Sequence, residues 1–188
     1  MALTLVKGQN TQLDPGLIEV MVGLGWDERA DAGDDFDLDA SAFMLNSLRK
    51  VRSDDDFIFY HQLESKCGSV QHQGDNLTGA GDGDCEQSKV NLPNVPADIE
   101  RIVVTVTSYQ AKERKQNFGM VDNAYIRIVD LAKNEEIARF DLTEDACVNQ
   151  SILFGELYRR DGAWKFKALG QGFDYDLGVI ARNYGVNI

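Results

Sequence analysis

Carboxylates spaced two apart in one stretch, and scattered among glycines in another, are the side chains of this sequence best suited to chemistry. Residues 34–39 read Asp-Asp-Phe-Asp-Leu-Asp, and residues 74–86 read Gly-Asp-Asn-Leu-Thr-Gly-Ala-Gly-Asp-Gly-Asp-Cys-Glu. Like charges about 4 Å apart repel by roughly 1 kcal/mol in water, and several-fold more where solvent is partly excluded. A fold that gathers such groups needs a cation between them. A hard divalent ion bound through oxygen, calcium above all, meets that need. In a strand, Asp35, Asp37 and Asp39 share one face at intervals of about 7 Å, while Phe36, Leu38 and Ala40 take the core face. Asp75, Asn76, Asp82, Asp84 and Glu86 add oxygens from a backbone whose glycines turn tightly and present carbonyls. The candidate metal ligands are therefore Asp35, Asp37, Asp39, Asp75, Asn76, Asp82, Asp84 and Glu86, set against a competing reading in which the first run is a solvated strand face.

Neither stretch is an EF-hand. Counted from Asp35, positions six and twelve are Ala40 and Asn46 rather than Gly and Glu; counted from Asp75, Glu86 falls at twelve but Leu77 and Gly79 occupy ligand positions. Gly81-Asp82-Gly83-Asp84 resembles one turn of a calcium-binding nonapeptide repeat, which a single copy cannot stack. Any metal site is then composite, built from loops and strand ends at one edge of the fold. Asp27, Glu28 and Asp31 read as a solvated rim, and Asp141, Glu144 and Asp145 as the acidic approach to a helix start at Thr143. His61 and His72 lack an evident His or Cys partner and read as structural or surface groups. Arg114, Gln116, Asn117 and Phe118 read as a loop anchor, and Trp26 and Trp164 as core. No Gly-x-Ser-x-Gly elbow, Gly-x4-Gly-Lys-Ser/Thr loop or His-Glu-x-x-His helix is present. No catalytic residue is therefore assigned. A metal-dependent enzyme acting on a phosphorylated or oxyanion substrate stands as the alternative to a binding protein.

Strand-like runs must carry these groups. Residues 3–6, 18–24, 36–45, 56–60, 69–72, 86–92, 101–107, 125–129, 136–140 and 164–169 alternate or are β-branched, with a hairpin connection over 130–135. Helical signals are few: a loose stripe from Ile152, Leu153, Glu156, Leu157 and Tyr158, and a short terminal helix over 176–184 ended by Gly185. The expected fold is mainly β, a β-sandwich of two antiparallel or mixed sheets with a few short helices near the C-terminal third. At 188 residues, 43% of them hydrophobic, residues 1–188 suit one domain. A net charge of −12 disfavours nucleic acid and anionic membranes and favours cations and basic protein surfaces. Cys67, Cys85 and Cys147 form no framework of pairs and no thiolate zinc site. No signal peptide and no run near the roughly 20 apolar residues of a membrane span is read, so the expected location is cytoplasmic.

Longer motifs carry a resemblance. Gly23-Leu24-Gly25-Trp26-Asp27, Asp35-Phe36-Asp37-Leu38-Asp39-Ala40-Ser41-Ala42-Phe43 and the glycine-rich run from Gly74 to Asp84 resemble the signature of the TerD family. Arg114-x-Gln116-Asn117-Phe118-Gly119, Ala138-Arg139-Phe140-Asp141-Leu142, Phe154-Gly155-Glu156-Leu157-Tyr158-Arg159 and Gly170-Gln171-Gly172-Phe173 extend it over nearly the whole chain. Cys85 departs from it, where many members carry an acid. The resemblance implies a calcium-binding β-sandwich linked to tellurite resistance and bacterial stress responses, with no defined reaction. The expected partners are other proteins of the same stress-resistance system, through a surface that bound calcium orders.

Overall fold

Alternation of apolar and polar residues becomes two six-stranded sheets. The computed structural model describes residues 2–27, 37–74, 83–142 and 149–188. The first sheet contains β1 (Leu3–Leu5), β3 (Glu19–Gly25), β6 (Val70–His72), β7 (Glu86–Asn91), β9 (Tyr125–Asp130) and β10 (Glu135–Asp141), in the order β1-β10-β9-β3-β7-β6. The second contains β2 (Asn10–Gln12), β4 (Leu38–Leu45), β5 (Phe57–Ile58), β8 (Arg101–Ser108), β11 (Ser151–Arg160) and β12 (Ala163–Phe173), in the order β2-β12-β11-β8-β4-β5. All pairings are antiparallel except β1 with β10, so the first sheet is mixed. Two α-helices are described, α1 (Ala111–Arg114) and α2 (Leu177–Tyr184). No described helix is long and apolar enough to cross a membrane.

One face of each sheet meets the other. Val20, Val22 and Leu24 of β3, Ile126 and Ile128 of β9, and Phe140 of β10 pack in one cluster with Leu38, Ala40, Ala42 and Met44 of β4 and Ile102, Val104 and Val106 of β8. Each Val, Leu, Ile, Met or Phe side chain so buried contributes about 1.5–3 kcal/mol. The odd-numbered residues of β4 project from the outer face of the second sheet. There Phe43 and Leu45 join Val103, Phe57 and the helix residues Ile180 and Ala181 in a second, smaller core. Helix α2 covers that face because its ends are fixed: Asp176 Oδ1 accepts from the Val179 N–H at 2.9 Å, and Gly185 stops the helix at φ 93°.

The expected strands form, with ends shifted by at most two residues, apart from the run at 164–169, which extends to Phe173. Two findings differ. Strand β2 has no apolar residue to announce it; its place comes from pairing Thr11 with Phe166 of β12. The stripe at Ile152, Leu153, Glu156, Leu157 and Tyr158 is not helical but lies within β11. A register shift between Leu153 and Gly155 inserts one residue, so Ile152, Phe154 and Leu157 all face the main core. Spacing of two and then three imitates a helical stripe. The helix start at Thr143 lies outside the described residues.

Candidate functional site

The second acidic segment hangs from the β6–β7 pair, and that stem is fastened on both faces of the sheet. Alternation along β7 turns Glu86, Ser88 and Val90 inward, and His72 of β6 faces the same side. His72 Nε2 lies 2.9 Å from Glu86 Oε2, both side chains only 1% exposed. The Gly74 N–H donates to His72 Nδ1 at 3.1 Å, so the neutral ring carries its proton on Nε2, facing the carboxylate. A buried ion needs such a partner, because desolvation without one costs several kcal/mol.

Asp84 goes the other way. Ahead of the first β7 residue the chain turns through Gly83 at φ 104°, and the Asp84 carboxylate lies on the outer face, over Gly23 of β3. Arg127 of β9 holds it with two bonds, Nε to Oδ1 at 2.7 Å and Nη2 to Oδ2 at 3.1 Å, and the Tyr125 hydroxyl donates to Oδ1 at 3.0 Å. This fork geometry is the strong form of a charge-assisted pair. Arg127 also reaches Glu136 Oε2 at 3.2 Å. The hydrogen bonds that Arg127 donates to Asp84 raise its pKa. Burial first, then the Asp84 charge, pushes the Tyr125 hydroxyl up to about 12. Arg139 stacks 3.7 Å from the Tyr125 ring centre and pairs with Asp141 at 2.7 Å. The Gly-x-Gly of β3 makes all this fit: a Cβ on Gly23 would sit 2.1 Å from Asp84 Oδ2, and one on Gly25 2.4 Å from the Tyr125 ring. Between the two acids, burial pushes the Cys85 thiol up, and its Sγ donates to the Trp26 carbonyl at 3.4 Å.

Asp39 occupies a third place. It projects from the outer face of the second sheet, opposite Thr107 of β8, and is 8% exposed. It lines a cavity of about 310 Å³ together with Tyr60, Tyr109, Lys112, Tyr175 and Asp176. The Asp37 carbonyl accepts from the Tyr109 N–H at 2.8 Å. Asp35, Asp75, Asn76 and Asp82 lie outside the described residues. Among the described residues no three His, Cys, Asp or Glu side chains gather as a metal-holding group. The structure thus places Asp39, Asp84 and Glu86 on three separate surfaces.

The other residues singled out in the sequence find clear places. His72 is structural, and Asp27 is an exposed rim residue accepting from Asn123 Nδ2 at 2.5 Å. Asn117 caps its own turn through Gly119, next to buried Phe118 and Gln116. Trp26 is core, whereas Trp164 is half-buried beneath the Arg159 guanidinium, 4.7 Å away. Sequence reasoning did not single out Arg127 and Tyr125. The signal for them was an arginine inside the alternating run Tyr-Ile-Arg-Ile-Val, on the face turned from the core.

All three stretches outside the described residues between 28 and 148 depart from the same end of the first sheet. Asp27 bonds Asp122 at 2.9 Å, Cys85 bonds Leu24 at 2.7 Å and Leu142 bonds Ala124 at 2.8 Å, all backbone to backbone. Residues 28–36, 75–82 and 143–148 together carry eight carboxylates against one arginine.

Known proteins resemble this chain throughout. The TerD domain matches residues 1–184. General stress protein 16U of Bacillus subtilis (strain 168) is 52% identical over 192 residues, covering 100% of both chains. Tellurium resistance protein TerD of Serratia marcescens is 51% identical over 190 residues, covering 100% of this chain and 99% of its own. A crystal structure of a homologue of telluride resistance protein (TerD) from Streptomyces coelicolor A3(2) superposes with a TM-score of 0.71 at 23% identity, over 88% of this chain and 96% of the other, and shows the same fold.

Proposed function

This chain belongs to the TerD family of tellurium-resistance and stress-response proteins, and from that premise we propose that it is a cytoplasmic calcium-binding stress protein whose metal orders its acidic segments into a surface for partner proteins. One observation carries the reading: the strand ends that launch residues 28–36, 75–82 and 143–148 are tied together at one end of the first sheet. The segments that follow from these ends carry eight carboxylates, and like charges brought close together repel unless a cation joins them. Asp84 and Glu86 already have protein partners, so in this reading they fasten the stem. In the same reading Asp35, Asp37, Asp75, Asn76 and Asp82, with backbone carbonyls, supply the oxygens. Calcium there would neutralise the cluster and fix the shape the segments present. With a net charge of −12, the partners that fit are proteins with basic surfaces rather than nucleic acid.

The role proposed is binding rather than turnover. Melting of the chain with and without a calcium chelator tests it. A ligand bound only to the folded state stabilises it by about 2.7 kcal/mol at a hundredfold excess over its dissociation constant. For a chain of this size that corresponds to a rise of roughly 5–11 °C. An unchanged melting point, with no heat of calcium binding, refutes the calcium reading. Calcium-dependent hydrolysis of a phosphate ester, lost in Asp82→Asn, would favour the enzyme instead.

A further inference from the structure

We propose that the cavity between the end of β8 and the start of α2 is a binding site for an organic cation, an alkylammonium or guanidinium group held by tyrosine rings over Asp39. The inference uses the outer face of the second sheet and does not rest on the calcium reading. The cavity measures about 310 Å³, the lower end of the range for small-ligand sites. Three tyrosines line it, and each remains substantially exposed although aromatic: Tyr60 at 40%, Tyr109 at 44% and Tyr175 at 38%. Large rings left this open around one hollow are what a recognition surface needs.

Neighbouring rings hold two of them in place. Tyr175 stacks on Phe173 with centroids 5.2 Å apart, and Tyr60 meets Phe59 edge-on at 5.2 Å. The walls are therefore set before a ligand arrives, which limits the entropy lost on binding. The face of Tyr109 already takes a cation within the chain, the Arg114 guanidinium 5.4 Å from its centroid.

Charge selects the ligand class. Among the described residues, Asp39, Glu113 and Asp176 line the cavity against one cationic side chain, Lys112, within a chain of net charge −12. An anion entering here meets repulsion from the lining and from the surrounding field. A flat or compact organic cation gains the ring quadrupoles and the carboxylates together. A cation free in solution and an arginine or lysine side chain of a partner protein present this same chemistry.

Calorimetric titration of the full chain with butylguanidinium, with and without excess calcium, tests the proposal. Saturable binding in both conditions is expected, with the isosteric neutral butylurea failing to bind. Asp39→Asn should weaken butylguanidinium about tenfold, and Tyr175→Leu about three- to tenfold. If Asp39→Asn does not fold, Tyr175→Leu, at an exposed ring, carries the test. A capped Gly-Arg-Gly peptide compared with agmatine separates the sources: tighter peptide binding identifies a protein side chain, and tighter agmatine binding a free amine. No saturation, equal binding of butylurea, or unchanged affinity in the variants overturns the proposal.

Discussion

Asp84 and Asp39 are the same residue type on the outer faces of opposite sheets, and the two faces use it differently. Asp84 is enclosed by neighbours on its own sheet: two arms of Arg127, the Tyr125 hydroxyl, and the hollow left by Gly23. Asp39 stands on the rim of a cavity whose other walls come from the end of β8, α1 and the start of α2. A carboxylate met at every oxygen by fixed donors contributes to stability and has little left to give a ligand. One that lines a tyrosine-walled hollow lies beside the space a ligand would fill. An acidic pattern in a sequence is therefore not one site but a set of charges whose roles are decided by what each side chain meets.

The comparison can be broken most forcefully at Gly23. Gly23→Ala drives a methyl into the Asp84 carboxylate and should cost about 3 kcal/mol, a fall of roughly 6–12 °C in melting temperature. Asp84→Asn should cost about 2 kcal/mol, less than loss of a fully buried pair because Arg127 is 29% exposed and can hydrate. Asp39→Asn should cost under about 1 kcal/mol in parallel melts. Equal losses at Asp84 and Asp39 would erase the distinction between the two faces.

A smaller effect appears in alkali. The Tyr125 hydroxyl has a raised pKa in the folded state, about 12 against an ordinary 10, so the folded chain holds that proton more tightly than the unfolded one. Its contribution is complete below about pH 10 and is lost as pH climbs through about 12. Ultraviolet titration of tyrosinate should show late ionisations, Tyr125 near pH 12 and Tyr184 also raised by burial, and Asp84→Asn should move only that of Tyr125 earlier by removing a neighbouring negative charge. A wild-type titration with no late tyrosine would contradict the enclosure of Tyr125 by Asp84.

Much of the fold was legible because period-two alternation survives wherever a strand buries one face. β4 shows it cleanly, with Leu38, Ala40, Ala42 and Met44 inside. It failed at β11, where one inserted residue near Gly155 broke the period, and at β2, where pairing rather than burial holds Asn10–Gln12. The site was less legible. Sequence shows that Asp84 and Glu86 are two apart but not that the turn ahead of β7 sends them to opposite sides of a sheet. Nor does it show that partners as remote as Arg127 and His72 wait there. The paired glycines at 23 and 25 were visible as a motif, yet their reason is steric, set by side chains about 60 and 100 residues later.

The central claim is a division of labour: acids inside the segments hold calcium, while Asp84 and Glu86 fasten the stem. Calorimetric calcium titration of the wild type beside Asp82→Asn tests it most directly. The account predicts saturable binding by the wild type and an affinity about tenfold lower in Asp82→Asn, the loss expected from one anionic oxygen ligand. Identical isotherms for the two chains, or no heat from either, would contradict it.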